Sequence, residues 1–299
     1  MSIALNSLEN TSLQTERWLA LVIGNTRLHW GCFHRNNLEG VWHTPHLTAE
    51  TARRLVAHHF IDESWQDIAG LTLDSQQNQL PKQRIEASAV WMASAVSAQT
   101  DLWVSCSNLA IQAVARSHIP LFNLYPTLGI DRAINLLGAG STIGWPILVV
   151  DAGTALTFTA SVEKENRGSV YGGAILPGLR LQGQMLRQNT SALAVAGEIG
   201  QSLSSGQTGE LMPERWARNT GGAIASGLVY GAIAIVIDYL TDWWQRFPTG
   251  KVVFTGGDGP RLYTWLKQRT PEIASRVHVD SCLMFRGMQV YRRALTLAS

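Results

Sequence analysis

An acidic and a basic side chain stand next to each other in the segment LGIDR at residues 128–132, as Asp131 and Arg132. The carboxylate could accept a proton from a substrate hydroxyl group, and the guanidinium could bind a phosphate or a carboxylate through two parallel hydrogen bonds. The same pair is also compatible with a helix-capping aspartate followed by a solvated arginine. The pair therefore suggests proton transfer beside an anionic substrate without identifying the reaction.

Two short turns combine glycine with hydroxyl or amide side chains, GNT at residues 24–26 and DAGTA at residues 151–155. Glycine allows the backbone to approach an anion closely, and the neighbouring Asn25, Thr26 and Thr154 add polar groups that suit a phosphate. A single small polar turn is more often an ordinary hairpin connection. Because the two turns occupy equivalent places in two halves of the chain, we interpret them together as phosphate-binding turns.

Asp151 directly follows the apolar run from Ile147 to Val150. A charge at this place is costly unless it meets a cation or hydrogen-bond donors. The alternative is an aspartate that caps the turn. The neighbouring phosphate-binding turns favour the interpretation that Asp151 binds a cation.

The segment TGGDG at residues 255–259 follows the apolar run KVVF and precedes a predicted helix. Backbone at Gly256 and Gly257 could pass close to a flat ligand such as a nucleobase or a ribose. The spacing is neither that of the phosphate loop with a Lys-Ser/Thr end nor that of the Gly-x-Gly-x-x-Gly dinucleotide motif. A simple turn before a helix is the alternative.

The apolar patterns around these motifs predict a duplicated α/β architecture. Residues 18–23 are apolar and residues 27–33 partly alternate, so the GNT turn is predicted to join two antiparallel strands. The segment PILVVDAGTALTFTA at 146–160 repeats this strand, turn and strand arrangement. We therefore expect two α/β halves that face each other across a cleft.

Further elements are predicted from local signals. They are a strand near 38–43, a helix from a Thr48 cap through Phe60, a strand at 89–96, a helix near 131–142 and a buried strand at 251–254. Polar stretches are predicted as a lead-in at 1–16, a loop at 76–86 and a glycine- and serine-rich loop at 195–210.

Composition restricts the class of protein. A chain of 299 residues with 45% hydrophobic residues can bury a large core in two domains. The balance of 24 Lys and Arg against 22 Asp and Glu, with no basic cluster, argues against nucleic acid as a partner. Cys32, Cys106 and Cys282 lie far apart, without zinc or disulfide spacing, which favours the cytoplasm.

One segment imitates a membrane span, because residues 221–237 carry no charge and contain Gly227 and Gly231 at a spacing that allows close helix contact. Asp238 interrupts the run, and small residues outnumber large ones. We predict a buried helix that could meet a partner subunit, and no membrane association.

The order of the motifs resembles that of the type III pantothenate kinases. It runs GNT, GIDR, DAGTA, GGAILPG at 172–178, Asn219-Thr220 and TGGDG, and covers about residues 18 to 291. This resemblance implies two ribonuclease-H-like domains of the acetate and sugar kinase, heat-shock chaperone and actin superfamily, at 17–125 and 126–299, which face each other across a nucleotide cleft. It implies ATP-dependent phosphorylation of pantothenate to 4'-phosphopantothenate, the first step of coenzyme A biosynthesis, by a cytoplasmic homodimer.

The resemblance also implies roles for individual residues. ATP, accompanied by Mg²⁺, would bind at Val22, Ile23, Gly24, Asn25, Thr26, Arg27, Leu28, His29 and Thr154, with its adenosine near Gly256 and Gly257. Pantothenate would contact Gly129, Ile130, Arg132 and Thr220, the last drawn from the neighbouring subunit. Asp131 would accept the proton of the primary hydroxyl as it attacks the γ-phosphate, and Asp151 would bind K⁺ or NH₄⁺.

The chain departs from the family pattern at two places. Val22 stands where the family has an aspartate that helps to organise magnesium, and valine can neither coordinate nor hydrogen-bond a hydrated metal. We hypothesise that the metal relies on the ATP phosphates, water and Asp151. The family also places a substrate-contacting tyrosine before GIDR, for which Tyr125 is the nearest candidate.

Two other functions remain compatible with these residues. A catalytically impaired nucleotide-binding regulator is suggested by Val22, although Asp131, Arg132, Asp151 and Thr220 argue for retained catalysis. A phosphatase of the same superfamily is the other alternative, because a fold alone does not determine chemistry.

Overall fold

The computed structural model describes residues 17–74, 79–85, 89–105, 111–190, 193–205 and 211–298. The predicted lead-in at 1–16, Cys106 and parts of the predicted loop at 76–86 lie outside the described residues, and residues 79–85 contain no helix or strand. Residue contacts divide the chain into two compact units. The first contains the described residues up to Pro120 together with Tyr125–Gly138 and residues 284–298, and the second contains Leu121–Leu124 and Ala139–Leu283.

The first unit contains a six-stranded sheet in the order β4-β3-β2-β1-β5-β6. Its strands are β1 (Arg17–Ile23), β2 (Leu28–His34), β3 (Asn37–Thr44), β4 (Thr72–Leu73), β5 (Val90–Ser94) and β6 (Gln112–Ala113). The neighbours of β2 are antiparallel to it, whereas β1, β5 and β6 are mutually parallel. The predicted antiparallel pair around the GNT turn, the third strand and the strand near 89–96 are confirmed.

The second unit repeats the same plan in a five-stranded sheet, in the order β11-β10-β7-β8-β9. Its strands are β7 (Ile147–Ala152), β8 (Ala155–Lys164), β9 (Arg167–Pro177), β10 (Lys251–Thr255) and β11 (Val277–Val279). The strands β7, β8 and β9 form antiparallel pairs, and β10 lies parallel between β7 and β11. Three antiparallel strands followed by two parallel ones is the ribonuclease-H-like order, so the predicted duplicated fold is confirmed.

The helices lie before, between and after these strands. They are α1 (Ala49–Ala57), α2 (Ser97–Ser105), α3 (Ile130–Thr142), α4 (Leu179–Asn189), α5 (Ala196–Ser205), α6 (Thr220–Arg246), α7 (Gly259–Arg269), α8 (Pro271–Ala274) and α9 (Leu283–Ala298). Short 3₁₀ turns occupy Asp62–Trp65 and Arg116–His118.

Tryptophan side chains dominate the core of the first unit. Trp30 packs with its ring centroid 5.0 Å from that of Trp65 and 5.2 Å from that of Trp103, in both cases edge to face. Trp42 contacts Trp65 in the same way, at 5.0 Å. Such aromatic pairs add to the stabilisation that burial itself provides, so this cluster anchors β2 and β3 firmly.

Helix α9 completes the first unit. Phe285 is fully buried, and a side chain at Gly31 of β2 would place its Cβ 2.6 Å from the Phe285 ring. The backbone N–H of Ala115 donates a hydrogen bond of 2.9 Å to the hydroxyl of Tyr291. A Cβ at Gly287 would lie 2.0 Å from the carbonyl oxygen of Ile134, so α9 and α3 approach at a distance that only glycine permits.

Two elements differ from their sequence predictions, one in where it ends and the other in its type of secondary structure. The helix after Thr48 stops at Ala57 rather than Phe60, because His59 and Phe60 adopt positive φ values of 52° and 56°, outside the helical region. The predicted loop at 195–210 contains helix α5, and residues 206–210 lie outside the described residues. A glycine of this helix allows close packing against α4, because a Cβ at Gly200 would lie 3.1 Å from the Cα of Gly183.

Helix α6 is the long apolar helix that the sequence predicts. Within the described residues, this is the helix that is long and apolar enough to cross a membrane, and 44% of its most apolar 18-residue window is buried inside the structure. The side chain of Asn219 caps it by accepting a hydrogen bond of 2.7 Å from the N–H of Gly222. Buried residues such as Leu228, Val236 and Leu240 join the core of the second unit.

Candidate active site

The GNT turn connects β1 to β2 in the first unit. The N–H of Gly24 donates to the carbonyl oxygen of Arg27 at 3.0 Å, and the carbonyl of Gly24 lies 2.8 Å from Nε2 of His46. Ile23 pairs with Leu28 below the turn, while Asn25 and Thr26 are exposed at its tip. The polar groups of the turn are therefore presented to solvent, as an anion-binding turn requires.

A row of three side chains crosses the sheet just below this turn. Val22 on β1 pairs with His29 on β2, which pairs with His43 on β3. Val22 is 2% exposed. Burial is the largest cause that lowers the pKa of His29 to about 3 and that of His43 to about 4, and the positive charge of Arg27 contributes to both shifts. The imidazoles are therefore neutral at physiological pH.

The predicted acid and base pair lies at the start of α3, also in the first unit. The carboxylate oxygen Oδ1 of Asp131 accepts a hydrogen bond of 2.8 Å from the N–H of Arg132. The guanidinium of Arg132 donates at 3.2 Å to the hydroxyl of Tyr125. A Cβ at Gly129 would stand 2.4 Å from Oδ1 of Asp131, so only glycine leaves room for this carboxylate position. The structure thus brings these four predicted residues together, with Ile130 as the first residue of the helix.

Tyr125 is held in place from the other side. The guanidinium of Arg116 donates to the carbonyl oxygens of Tyr125, at 3.0 Å, and of Pro126. The N–H of Leu128 donates to the carbonyl of Tyr125 at 3.0 Å, which closes the turn before α3. Arg132 is 8% exposed, and its contact with the tyrosine hydroxyl fixes the direction of a buried positive charge. Sequence reasoning did not identify Arg116.

The DAGTA and TGGDG turns lie against each other in the second unit. The N–H of Asp258 donates at 2.9 Å to the carbonyl of Ala152. Gly256 has a φ of 82°, and a Cβ there would stand 2.4 Å from Oδ1 of Asp151. The structure therefore brings Gly256 directly against the predicted cation-binding carboxylate. A Cβ at Gly257 would meet nothing within 4 Å, which leaves open space beside that backbone.

The segment GGAILPG supports the same turn from below. The N–H of Gly178 donates at 2.9 Å to the carbonyl of Thr154. A Cβ at Gly178 would lie 2.0 Å from the carbonyl oxygen of Gly153, so only glycine allows this approach. Thr154 itself is exposed, with its side chain at the tip of the turn.

Two threonines flank Asp151 across three strands. In the register of the sheet, Asp151 on β7 lies opposite Thr255 on β10 and Thr157 on β8. Residues at paired register positions project from the same face of a sheet. The hydroxyl oxygens of both threonines are buried and have no hydrogen-bond partner among the described residues. Buried hydroxyls without partners are costly, and two of them beside a carboxylate fit the oxygen ligands of a hard cation.

Other metal chemistry finds less support among the described residues, since these contain no group of three or more His, Cys, Asp or Glu side chains that could hold a metal ion. Val22 adds no ligand at the first turn. A cation that uses Asp151 must therefore complete its coordination with hydroxyl, carbonyl, phosphate or water oxygens. No composition or spacing signal indicated Thr255 or Thr157, because their positions depend on strand register.

Thr220 is the first residue of α6 and lies on the second unit, directly after the Asn219 cap. Both residues are exposed. The preceding segment contains Trp216, which is 82% exposed.

Comparison with known proteins gives one consistent result at the level of the family. A model of the type III pantothenate kinase family matches residues 18–242. A type III pantothenate kinase from Nostoc sp. is 40% identical over 281 residues, which cover 91% of this chain and 93% of the relative. Another from Synechococcus sp. is 38% identical over 280 residues and covers 93% of each chain.

Solved structures resemble the fold at low sequence identity. A protein described as a Baf family transcriptional activator from Campylobacter jejuni has a TM-score of 0.50 and 18% identity, covering 92% of this chain and 97% of its own. The ethanolamine utilization protein EutJ from Carboxydothermus hydrogenoformans has a TM-score of 0.50 and 9% identity, with coverage of 92% and 89%. These likenesses show a common fold. The family model matches most of the chain, and the two relatives are 38% and 40% identical over nearly their whole length. This chain therefore belongs to the type III pantothenate kinase family.

Proposed function

We infer that this chain transfers the γ-phosphoryl group of ATP to the primary hydroxyl of pantothenate, which forms 4'-phosphopantothenate, the first intermediate on the route to coenzyme A. The observation that carries this conclusion is the family match over residues 18–242, within which Asp131 and Arg132 open helix α3 beside Tyr125. An enzyme that transfers a phosphoryl group needs mainly positioning and charge neutralisation, and these residues can supply both.

Asp131 acts as the general base in the proposed mechanism. Its carboxylate accepts the proton of the pantothenate hydroxyl while that oxygen bonds to the γ-phosphorus and the bond from phosphorus to the β,γ-bridging oxygen breaks, which releases ADP. The N–H of Arg132 orients the carboxylate through a hydrogen bond of 2.8 Å. Gly129 and Ile130 contact pantothenate. The guanidinium of Arg132, which donates a hydrogen bond to the hydroxyl of Tyr125, binds an anionic group of this substrate.

The nucleotide binds through the backbone and side chains of the GNT turn, from Val22 to His29, and through Thr154. Its adenosine lies near Gly256 and Gly257, where the open space beside Gly257 accommodates a flat group. The two turns are proposed to hold phosphate oxygens through N–H and hydroxyl groups, which bind anions without requiring a positive side chain.

Cations complete the proposed chemistry. As a kinase, the protein uses a divalent metal with ATP, and we propose Mg²⁺. We also propose that Asp151, together with the hydroxyls of Thr255 and Thr157, holds K⁺ or NH₄⁺. A monovalent cation there supplies positive charge that offsets the negative charge of phosphate groups. The orphaned buried hydroxyls support this donor set.

The proposed assembly is a cytoplasmic homodimer in which Thr220 of each chain serves the pantothenate site of the other. The exposure of Thr220 at the start of α6 is compatible with this role. Neither nucleic acid nor a membrane is part of the proposal, since the net charge is only +2 and the apolar helix α6 contributes buried residues to the core of the second unit.

The function is tested by following ADP release with ATP and pantothenate, with and without K⁺ or NH₄⁺, in wild type and Asp131→Asn. Loss of a general base should reduce kcat by about two to four orders of magnitude. The matched control is Asp242→Asn, which changes an exposed acid paired with Arg246 on helix α6 and should leave turnover unchanged.

Each contrary result has a distinct meaning. An Asp131→Asn enzyme as active as wild type would refute the assignment of the base. Phosphate release that does not require pantothenate would indicate a phosphatase. Nucleotide binding without turnover under any cation would indicate a regulator.

A further inference from the structure

Two histidines on neighbouring strands are hydrogen-bonded directly to each other beside the GNT turn. Nδ1 of His29 lies 2.9 Å from Nδ1 of His43, and the two rings meet edge to face with centroids 4.8 Å apart. A neutral imidazole carries one proton, so one Nδ1 donates this hydrogen bond and the other accepts it. The two neutral rings therefore carry opposite tautomers, one protonated at Nδ1 and the other at Nε2.

The surroundings favour the neutral form of both rings. Burial is the main cause, Arg27 and the neighbouring imidazole add to it for His29, and Asp74 opposes it in part for His43. A third imidazole, that of His46, is fixed as a donor by the carbonyl of Gly24 at 2.8 Å. Because His29 and His43 are neutral, each of these two rings has one nitrogen that donates a hydrogen bond and one nitrogen that accepts one.

The opposite edge of the His29 ring faces the turn. A Cβ built on Gly24 would stand 3.5 Å from Nε2 of His29 and 3.8 Å from its Cδ2. The ring therefore spans the distance between His43 and the turn. If His43 donates, His29 carries its proton on Nε2 and directs an N–H toward the turn. In the reverse arrangement it would direct a lone pair there, which repels a phosphate oxygen.

Val22 completes the row on the side of His29 away from His43. A carboxylate at residue 22 would lie beside the imidazole and favour its protonated form. Valine instead adds an apolar, 2% exposed neighbour that keeps the ring neutral. Val22, His29 and His43 therefore form one row across the sheet in which each neighbour of His29 favours its neutral form.

We propose that His43 is a positioning residue that holds His29 as the Nε2–H tautomer, so that His29 donates an uncharged hydrogen bond to a phosphate oxygen of the nucleotide at the GNT turn. This proposal rests on the proposed function for the nucleotide site. The bond at Nδ1 fixes both the proton and the ring direction, so His43 acts on the nucleotide through His29. The relation resembles that in which an outer hydrogen-bond partner fixes a metal-binding imidazole.

The tautomer is read in the ¹⁵N-labelled full chain without any ligand. Two-bond ¹H–¹⁵N spectra distinguish Nδ1–H from Nε2–H rings, and the His29 signals are assigned by their loss in His29→Gln. We expect His29 in the Nε2–H form in wild type. An Nδ1–H ring at His29 would overturn the proposal whether or not the protein is a kinase.

The effect on the nucleotide is measured as ATP affinity by calorimetry, with pantothenate omitted so that the acceptor reaction is not involved. Asparagine can place an amide near the position of Nδ1, whereas leucine cannot form the bond. We expect His43→Leu to weaken ATP binding about tenfold and His43→Asn to remain within about threefold of wild type. At saturating ATP, kcat of His43→Leu should stay near that of wild type while the KM for ATP rises.

The control is His278→Leu, which removes an exposed imidazole on β11 of the second unit and should leave ATP affinity unchanged. Equal affinity in His43→Leu and wild type would overturn the positioning role, as would equal losses in the leucine and asparagine variants. If His43→Leu does not fold, the wild-type tautomer and the comparison of His43→Asn with His43→Ala decide the question. Normal ATP binding without pantothenate turnover would instead count against the proposed kinase function alone.

Discussion

At the scale of single residues, the site combines groups that sequence reasoning could name with groups that only strand register reveals. Asp131, Arg132 and Asp151 are recognisable because a charge beside a glycine turn or after an apolar strand is unusual in sequence. His43, Thr157 and Thr255 carry no such signal, since threonine is common in strands and a single histidine belongs to no recognisable motif. Their proposed roles rest on strand register, which pairs His43 with His29 and both threonines with Asp151.

Val22→Asp tests the hypothesis that the divalent metal does not need a carboxylate at the first turn. We expect activity at pH 8 to stay similar or rise. The new carboxylate would lie beside His29 and raise its pKa from about 3, because it favours the protonated imidazole. An imidazole chemical-shift titration measures this change, with Val22→Asn as the uncharged control. A total loss of activity in the folded Val22→Asp enzyme would contradict the hypothesis.

Thr255→Val tests whether the buried hydroxyl beside Asp151 is a cation ligand. Without potassium, removal of an unpartnered hydroxyl should raise the free energy of unfolding by roughly 1 kcal/mol. The K⁺ concentration that gives half of the potassium-dependent rise in Tm should increase about tenfold. Both effects are measured by thermal unfolding in KCl against choline chloride.

Thr159→Val is the matched control for this measurement, because Thr159 is a buried threonine on β8 that pairs with Val149 rather than with Asp151. Its midpoint for potassium should match that of wild type. An unchanged midpoint in Thr255→Val would remove this hydroxyl from the donor set.

At the scale of elements, hydrophobic periodicity predicts the strands that flank each turn, because these strands are 6 to 10 residues long and mostly buried. The two-residue strands β4 and β6 were not predicted, since two residues show no period. The sequence of α5 predicts a loop, because its glycines and serines are typical of turns. In the fold these glycines allow α4 and α5 to approach closely, which local sequence cannot indicate.

Phe285→Ala tests how strongly α9 stabilises the first unit. The fully buried ring lies against Gly31 of β2, so truncation should lower the free energy of unfolding by about 3–5 kcal/mol. Urea unfolding measures the loss, and amide exchange should show weakened protection in β1 and β2. Ile175→Ala, at a side chain that is 64% exposed, is the control and should cost far less. Equal losses in the two variants would contradict this role for α9.

At the scale of the whole molecule, the duplicated plan could be predicted because the same strand, turn and strand pattern occurs twice with similar spacing. The grouping of helices could not be predicted in the same way. Residues 284–298 are far in sequence from β2, and no local pattern indicates that Phe285 and Tyr291 belong to the first unit. Contacts over such separations depend on shape complementarity, which a single sequence does not display.

The return of the last helix to the first unit affects how the protein must be made. During synthesis strands β1 to β3 leave the ribosome early, yet Phe285, which covers Gly31, and Tyr291, which contacts Ala115, emerge about 240 residues after β3. The sheet of the first unit therefore keeps this apolar face uncovered until residues 284–298 have been made. Nascent chains arrested before Met284 should bind chaperones that recognise exposed apolar surface, and chains extended past residue 298 should no longer bind them.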